Sequence, residues 1–187
     1  MLHPRRSGSD CTCHRPTRRF VLAGLACTAL APQAFAADKA PQSAEDERFM
    51  RMALEEARRA DFPFGCVITK GGRVIARGRN LGRRNHDPTA HGEMVTIRRA
   101  VVSPGSAALR GATLYTTGEP CAMCMGAILW CHIGRIVFAA SIEQLATVMD
   151  QIMITDAELA ARAKFAPVSI TGGVLAEEAM ELFKRSR

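Results

Sequence analysis

Two short motifs, His91-Gly92-Glu93 and Pro120-Cys121-Ala122-Met123-Cys124, carry the ligand chemistry of this chain, and any fold it adopts has to bring them together. One neutral imidazole and two thiolates suit a borderline-soft Zn²⁺, and a ligand set of His91, Cys121 and Cys124 leaves the fourth tetrahedral position open, as a catalytic metal requires. Two cysteines three apart fall on one face of a helix. The proline ahead of them fits a first helical turn, so Pro120 is expected to open a helix with Cys121 and Cys124 at its N-terminus. The dipole there favours the thiolate.

Charge then assigns Glu93. Two thiolates and a neutral imidazole leave the Zn²⁺ centre formally uncharged, so it acidifies water less than a tris-histidine site would, and a nearby base is needed. Glu93, just past His91, is placed to take a proton from the attacking water, protonate a ring nitrogen, and protonate the departing amine. It is read as the catalytic shuttle and not as a ligand. The paired motifs read as a hydrolytic zinc deaminase. Either half alone is weaker, since Cys-x-x-Cys also serves redox pairs and structural zinc sites. A structural site needs a fourth ligand, for which Cys131 and His132 are the nearest choices. Cys131, however, lies about 10 Å further along a continuous helix at about 1.5 Å per residue. A non-catalytic, zinc-stabilised binding module is the contrasting class, and it has no use for a free carboxylate beside the metal.

The surrounding residues resemble the cytidine/deoxycytidylate deaminase superfamily, in the branch that holds guanine deaminases, fungal-type cytosine deaminases and bacterial tRNA adenosine deaminases. The resemblance runs from about Phe49 to Phe183 through Pro63-Phe64-Gly65, Asn80, Asp87-Pro88-Thr89-Ala90-His91-Gly92-Glu93, Leu114-Tyr115-Thr116-Thr117, Glu119-Pro120-Cys121-Ala122-Met123-Cys124-Met125-Gly126-Ala127 and Thr171-Gly172-Gly173-Val174-Leu175. It implies an α/β fold, the three-layer α/β/α cytidine deaminase-like arrangement with a mixed five-stranded sheet. A homodimer with the site near the subunit interface is also implied.

Residues 1–36 differ in kind. Thr17-Arg18-Arg19-Phe20-Val21-Leu22 opens an alanine-rich apolar run ending at Ala34-Phe35-Ala36. This reads as a twin-arginine signal peptide cleaved after Ala36, and it predicts a periplasmic deaminase domain over residues 37–187. The run is too short and too interrupted by Pro32 and Gln33 for a stable membrane anchor. Cys27 invites a lipoprotein reading, but Gly24 stands where a larger aliphatic residue is wanted. Initiation at Met50 or Met52 would remove an amphipathic segment around Phe49, Met52, Ala53 and Leu54. The leader carries five arginines and one aspartate, so the formal +7 of the whole chain falls to +3 beyond it. That modest surplus and 5% aromatic content mark a solvated face rather than a nucleic-acid track, and no nucleic-acid partner is expected. Cys66, Cys121, Cys124 and Cys131 lie beyond the leader, with Cys66 and Cys131 expected in the core. Twin-arginine export of folded protein suits a thiolate metal site bound for an oxidising compartment.

Residues 37–187 suit a single domain. Helical periodicity covers Ala44 to Ala60, and strands at Phe64 to Lys70 and Val74 to Arg79 flank Gly71-Gly72 as a hairpin. A helix is expected from near Ala90, a strand up to Thr116, the cysteine helix through Trp130, and a strand at Arg135 to Ala140. Helices at Ile142 to Val148 and Ala157 to Ala163, a strand at Val168 to Thr171 and a helix at Leu175 to Lys184 complete a mixed sheet covered on both faces.

On the substrate side, the resemblance places Asn80 where an amide meets the base, although Asn after Arg-Gly-Arg alone reads as a turn residue. It likewise places the Glu119 carbonyl where the leaving amine is received. Gly92 would let its backbone N–H approach the ring, and Phe64 and Trp130 are expected as pocket walls, with a core role for Trp130 as the alternative. The Gly-Ala-Ile-Leu-Trp run is similar to guanine deaminases, while Gly92 is similar to cytosine deaminases. The expected substrate is a free nucleobase or nucleoside, a guanine-type purine first. Cytosine or cytidine comes second and tRNA adenosine third, since an exported enzyme does not meet tRNA.

Overall fold

The computed structural model describes residues 43–102 and 105–186. The expected signal peptide and its cleavage site lie outside the described residues. Ser43 caps α1 (Ala44–Ala57), its hydroxyl accepting from the Asp46 N–H at 3.0 Å. Next come β1 (Gly65–Lys70) and β2 (Arg73–Arg79), joined through Gly71 and Gly72 at φ 56° and 71°, the doubly left-handed pair that a two-residue hairpin turn demands. After a loop follow α2 (Gly92–Val101), β3 (Thr113–Gly118), α3 (Ala122–Trp130) and β4 (Arg135–Ala140). The chain ends with α4 (Ile142–Ala146), α5 (Asp156–Arg162), β5 (Ser169–Thr171) and α6 (Ala176–Arg185).

The five strands form one mixed sheet in the order β2-β1-β3-β4-β5. β1 runs antiparallel to both β2 and β3, while β3, β4 and β5 are parallel. Strand alternation splits the core in two. Cys66, Ile68, Leu114, Ile136 and Phe138 pack on one face with Ile97 of α2, Ile128 of α3 and Leu159 of α5. Val67, Tyr115, Val137 and Ala139 pack on the other with Phe49 and Leu54 of α1 and Phe183 of α6. This is the three-layer α/β/α arrangement. Its close approaches need glycine: a Cβ on Gly65 would lie 2.0 Å from the Ala53 carbonyl oxygen of α1.

A buried fork ties the first helix to the sheet. Asp46, 2% exposed, accepts from Arg135 Nη1 at 2.7 Å and Nη2 at 2.8 Å, and from the Tyr115 hydroxyl at 3.2 Å. Burial alone would raise the Asp46 carboxyl, but the Arg135 guanidinium outweighs it and holds the group below its ordinary value.

Two local expectations are corrected. Pro120 stands outside α3, whose N-cap is Cys121 itself, and α4 stops at Ala146 because Thr147 takes the C-cap. Cys66 is buried as expected, Cys131 is only half-buried at the C-cap of α3, and neither is in a disulfide.

Candidate metal and catalytic site

Both motifs lie at helix starts on the same end of the sheet. His91 is the N-cap of α2 and Cys121 the N-cap of α3, each with extended backbone and no side-chain capping bond, which leaves both side chains free to turn into the site. His91 Nδ1 lies 3.6 Å from Cys121 Sγ and 3.7 Å from Cys124 Sγ. Ligand atoms of the three residues all fall within 4.8 Å of one another. Among the described residues no other group of His, Cys, Asp and Glu clusters in this way. Since α3 runs unbroken to Trp130, Cys131 stays a helix length away, and His132 follows it out of reach.

The donor chemistry fits zinc. The neighbouring Cys124 thiol and His91 hold the Cys121 thiol down to about 4. Cys121 is therefore the more readily ionised of the two thiols, while sharing with Cys121 and burial push the Cys124 thiol up. The hydrogen bond to Cys121 raises His91 above its ordinary value. One thiol ionises readily, and a thiophilic dication completes the set by displacing the remaining proton.

Glu93 sits beside this cluster, 2% exposed. Its Oε1 accepts from the Thr116 hydroxyl at 3.0 Å, and its Oε2 accepts from Cys124 Sγ at 3.5 Å. Burial raises its carboxyl above the ordinary value, against the opposing hydrogen bonds, which moves it toward the range useful for proton transfer.

The site opens into a cleft of about 400 Å³ lined by Phe64, Asn80, His91, Glu93, Glu119 and Cys121, with Phe62, Pro88 and Met123 at the mouth and Met149 to Ile152 as a further wall. The Phe64 ring lies parallel to the His91 imidazole, with centroids 6.3 Å apart. Thr117 holds that aromatic in place, its hydroxyl donating to the Pro63 carbonyl at 2.8 Å and accepting the Gly65 N–H at 3.1 Å.

Asn80 lines the cleft and is also the turn residue that its local sequence indicates, its Oδ1 accepting the Gly82 N–H at 3.0 Å. Gly92 does not line the cleft. It is wedged under the Phe64 carbonyl, where an added Cβ would come within 2.7 Å of that oxygen, so its immediate constraint is packing. Trp130 is neither a pocket wall nor a core residue. At the last position of α3 it is 74% exposed and packs on Phe165, with centroids 4.8 Å apart.

The Glu119 side chain, as distinct from its carbonyl, is something motif reading missed. The carboxylate is 6% exposed and accepts the Ile142 N–H and the Asp156 N–H, each at 2.9 Å. Asp156 was also missed. It is 1% exposed, neither carboxyl oxygen has a hydrogen-bond partner, and burial together with the charges of Glu119, Glu93 and Cys121 pushes its carboxyl up to about 9.

A mixed sheet between two helical layers, with an imidazole and two thiols converging from paired helix starts, defines a zinc-binding α/β domain of the deaminase type. The chain belongs to the cytidine and deoxycytidylate deaminase family, whose zinc-binding region matches residues 43–140. It is similar to the tRNA-specific adenosine deaminase of Streptococcus pyogenes serotype M1, 35% identical over 150 residues that span 77% of this chain and 85% of that protein. The corresponding Agrobacterium fabrum protein is 46% identical over 101 residues, covering 52% of this chain and 66% of that protein. Other matches are partial, spanning 62% of the Bacillus subtilis tRNA-specific adenosine deaminase and 8% of the Arabidopsis thaliana chloroplastic tRNA(adenine(34)) deaminase. Among solved structures, one from a study of A-to-I editing by tRNA:A34 deaminases aligns with a TM-score of 0.62 and 33% identity, over 72% of this chain and 98% of that one. A guanine deaminase from Nitrosomonas europaea shares the fold with a TM-score of 0.64 at 21% identity, over 75% of this chain and 83% of that one.

Proposed function

We propose that this protein is a zinc-dependent hydrolytic deaminase acting on a free nucleobase or nucleoside, with a guanine-type purine as its first substrate. When bound, Zn²⁺ supplies a Lewis acid that acidifies the attacking water. Glu93 does the remaining proton work at its carboxylate oxygens, held by Thr116 on one side and facing Cys124 on the other. Phe64 offers a flat apolar face to the ring, and Asn80 offers a polar group to its edge.

The observation that carries the choice of a small substrate is the lining of the cleft: it contains no Lys or Arg, and Glu93, Glu119 and Asp150 are acidic. Nucleic-acid binding draws its affinity from cations at the phosphates, and among the lining residues there is none, Arg83 standing outside them over the Phe62 ring. A volume of about 400 Å³ is at the small-ligand end of binding sites. The exposed position of Trp130 removes it as a pocket wall, so the purine preference rests on the similarity of the Gly126–Trp130 run to guanine deaminases, and the expected export argues only against tRNA. A second reading, tRNA adenosine deamination, is favoured by the similarity to tRNA-specific adenosine deaminases. Ammonia release by zinc-loaded protein from a panel of bases and nucleosides, run beside inosine formation in a tRNA anticodon loop, decides between them. Release from guanine or a related purine with little inosine is expected. Efficient tRNA editing, or turnover confined to cytosine or cytidine, would overturn the substrate.

The same reading includes a homodimer and twin-arginine export to the periplasm. Among the described residues no helix is long and apolar enough to cross a membrane. Fractionation of cells carrying Arg18→Lys with Arg19→Lys tests the export, and an unprocessed cytoplasmic precursor is expected.

A further inference from the structure

Between the start of α4 and the start of α5 the chain forms the outer wall of the cleft, through Met149, Asp150, Gln151 and Ile152. From Asp150 to Ile154 it belongs to no helix or strand, and Ile152 and Met153 are 59% and 57% exposed. Met149 packs against the core at one end, but the exposed stretch after it has little packing to keep it in place. Its two ends meet at one carboxylate. Glu119 Oε2 accepts the first N–H of α4, at Ile142, and Oε1 the first N–H of α5, at Asp156, each at 2.9 Å. Both groups are donors that a helix start otherwise leaves unpaired, and a negative charge there is favoured by both dipoles. The Glu119 backbone is fixed in turn, since its N–H donates to the Ala140 carbonyl at 2.7 Å at the end of the β3–β4 pairing. Next after it in the chain come Pro120 and the ligand Cys121.

We infer that Glu119 is a positioning residue, its carboxylate clamping the starts of α4 and α5 to the cysteine loop so that the Met149–Ile152 wall stands in register with the metal ligands. The inference rests on the deaminase reading for its kinetic consequence but not for its structural one. Beyond this contact α5 packs on the cysteine helix through Leu159 and Ala160, so the carboxylate fixes the starts of the two helices rather than their bodies. A carboxylate is suited to the task because both of its oxygens accept. A glutamine of the same shape offers one acceptor and one NH₂, and the NH₂ would face an amide N–H.

The test compares zinc-loaded wild type with Glu119→Gln, using whichever base or nucleoside the ammonia panel shows to be turned over. The expected result is unchanged zinc content, a KM raised about tenfold or more with kcat within about threefold, and faster amide exchange confined to residues 147–156. Asp156→Pro is the second arm. Proline is welcome at the first position of a helix, and Thr155 before it already has extended backbone at φ −74° and ψ 157°, so this change deletes the N–H that Glu119 Oε1 accepts. Asp156→Asn, which keeps that N–H, is its control. Asp156→Pro should reproduce the KM rise and the local exchange, while Asp156→Asn should not. Unchanged KM and exchange in Glu119→Gln, equal behaviour of the two Asp156 variants, or parallel loss of zinc, kcat and KM would each overturn the inference. If wild type releases ammonia from nothing in the panel, the deaminase reading fails, and the exchange arms still decide the clamp.

Discussion

Replacing Asp156 by asparagine removes a carboxyl group that the fold has buried without any hydrogen-bond partner. The carboxyl has an ordinary value of 3.8 and is pushed to about 9, first by burial and then by the charges of Glu119, Glu93 and Cys121. Between those values the folded protein holds a proton that the unfolded chain has released, so stability falls as pH rises. The contribution is fully present below the unfolded value and is gone once pH passes the folded one. At about 1.4 kcal/mol per pH unit, the wild type gives up about 4 kcal/mol through this group between pH 5 and pH 8. Asparagine does not titrate, and groups other than Asp156 and the Glu119, Glu93 and Cys121 charges coupled to it cancel in the comparison. Urea denaturation of metal-free wild type and Asp156→Asn at pH 5, 6.5 and 8 measures the difference as midpoint shifts at constant slope. The variant should gain on the wild type by about 4 kcal/mol from the first pH to the last, whatever the offset at pH 5. A difference constant within about 1 kcal/mol would show that Asp156 is ionised in the folded protein and would refute the reasoning.

Glu93→Ala should keep fold and metal while the rate falls by about 10² to 10⁴, the usual worth of positioned acid–base assistance; near-parental ammonia release would remove Glu93 from the mechanism. Cys124→Ala should lose most bound zinc by metal analysis, and full retention would mean that the ligand set is wrong. Asn80→Ala should lower kcat/KM by about 5- to 150-fold, from roughly 1–3 kcal/mol for an unpaired buried group, with zinc unchanged. Because Asn80 Oδ1 also holds the Gly82 N–H, Asn80→Asp retains that turn, and parental activity in the aspartate variant would leave Asn80 with the turn alone.

Much of this architecture is legible from local chemistry. Gly71-Gly72 marks a hairpin because two successive left-handed residues are otherwise rare, and the β4 span Arg135–Ala140 follows from an apolar run bounded by Gly134 and Ser141. The metal set is legible because the donor chemistry is local to each motif, even though the meeting of the motifs is not. What escapes is convergence. Glu119 reads as part of a cysteine motif, and nothing nearby announces that two helix starts from further along the chain will meet its carboxylate. The starts themselves were readable, since Ser141 with Gln144 and Thr155 with Glu158 form capping boxes. Trp130 ends an apolar helix whose composition does not say which side faces the sheet, so exposure was hidden. Asp156 sits at the first position of a helix, where an acid is ordinary and solvated. Only tertiary packing buries it.

The place of β1 between β2 and β3 has a kinetic consequence. His91 follows β2 and the cysteines follow β3, and these strands are held on either side of β1. The two halves of the ligand set therefore become neighbours only when the β1–β2 hairpin has also made the long-range pairing of β1 with β3, late in the assembly of the sheet. A ligand that bridges contacts absent from the transition state leaves the folding rate nearly untouched and slows unfolding instead. Zinc in this protein should act chiefly on the lifetime of the native state, as a latch that closes after folding rather than a seed that starts it.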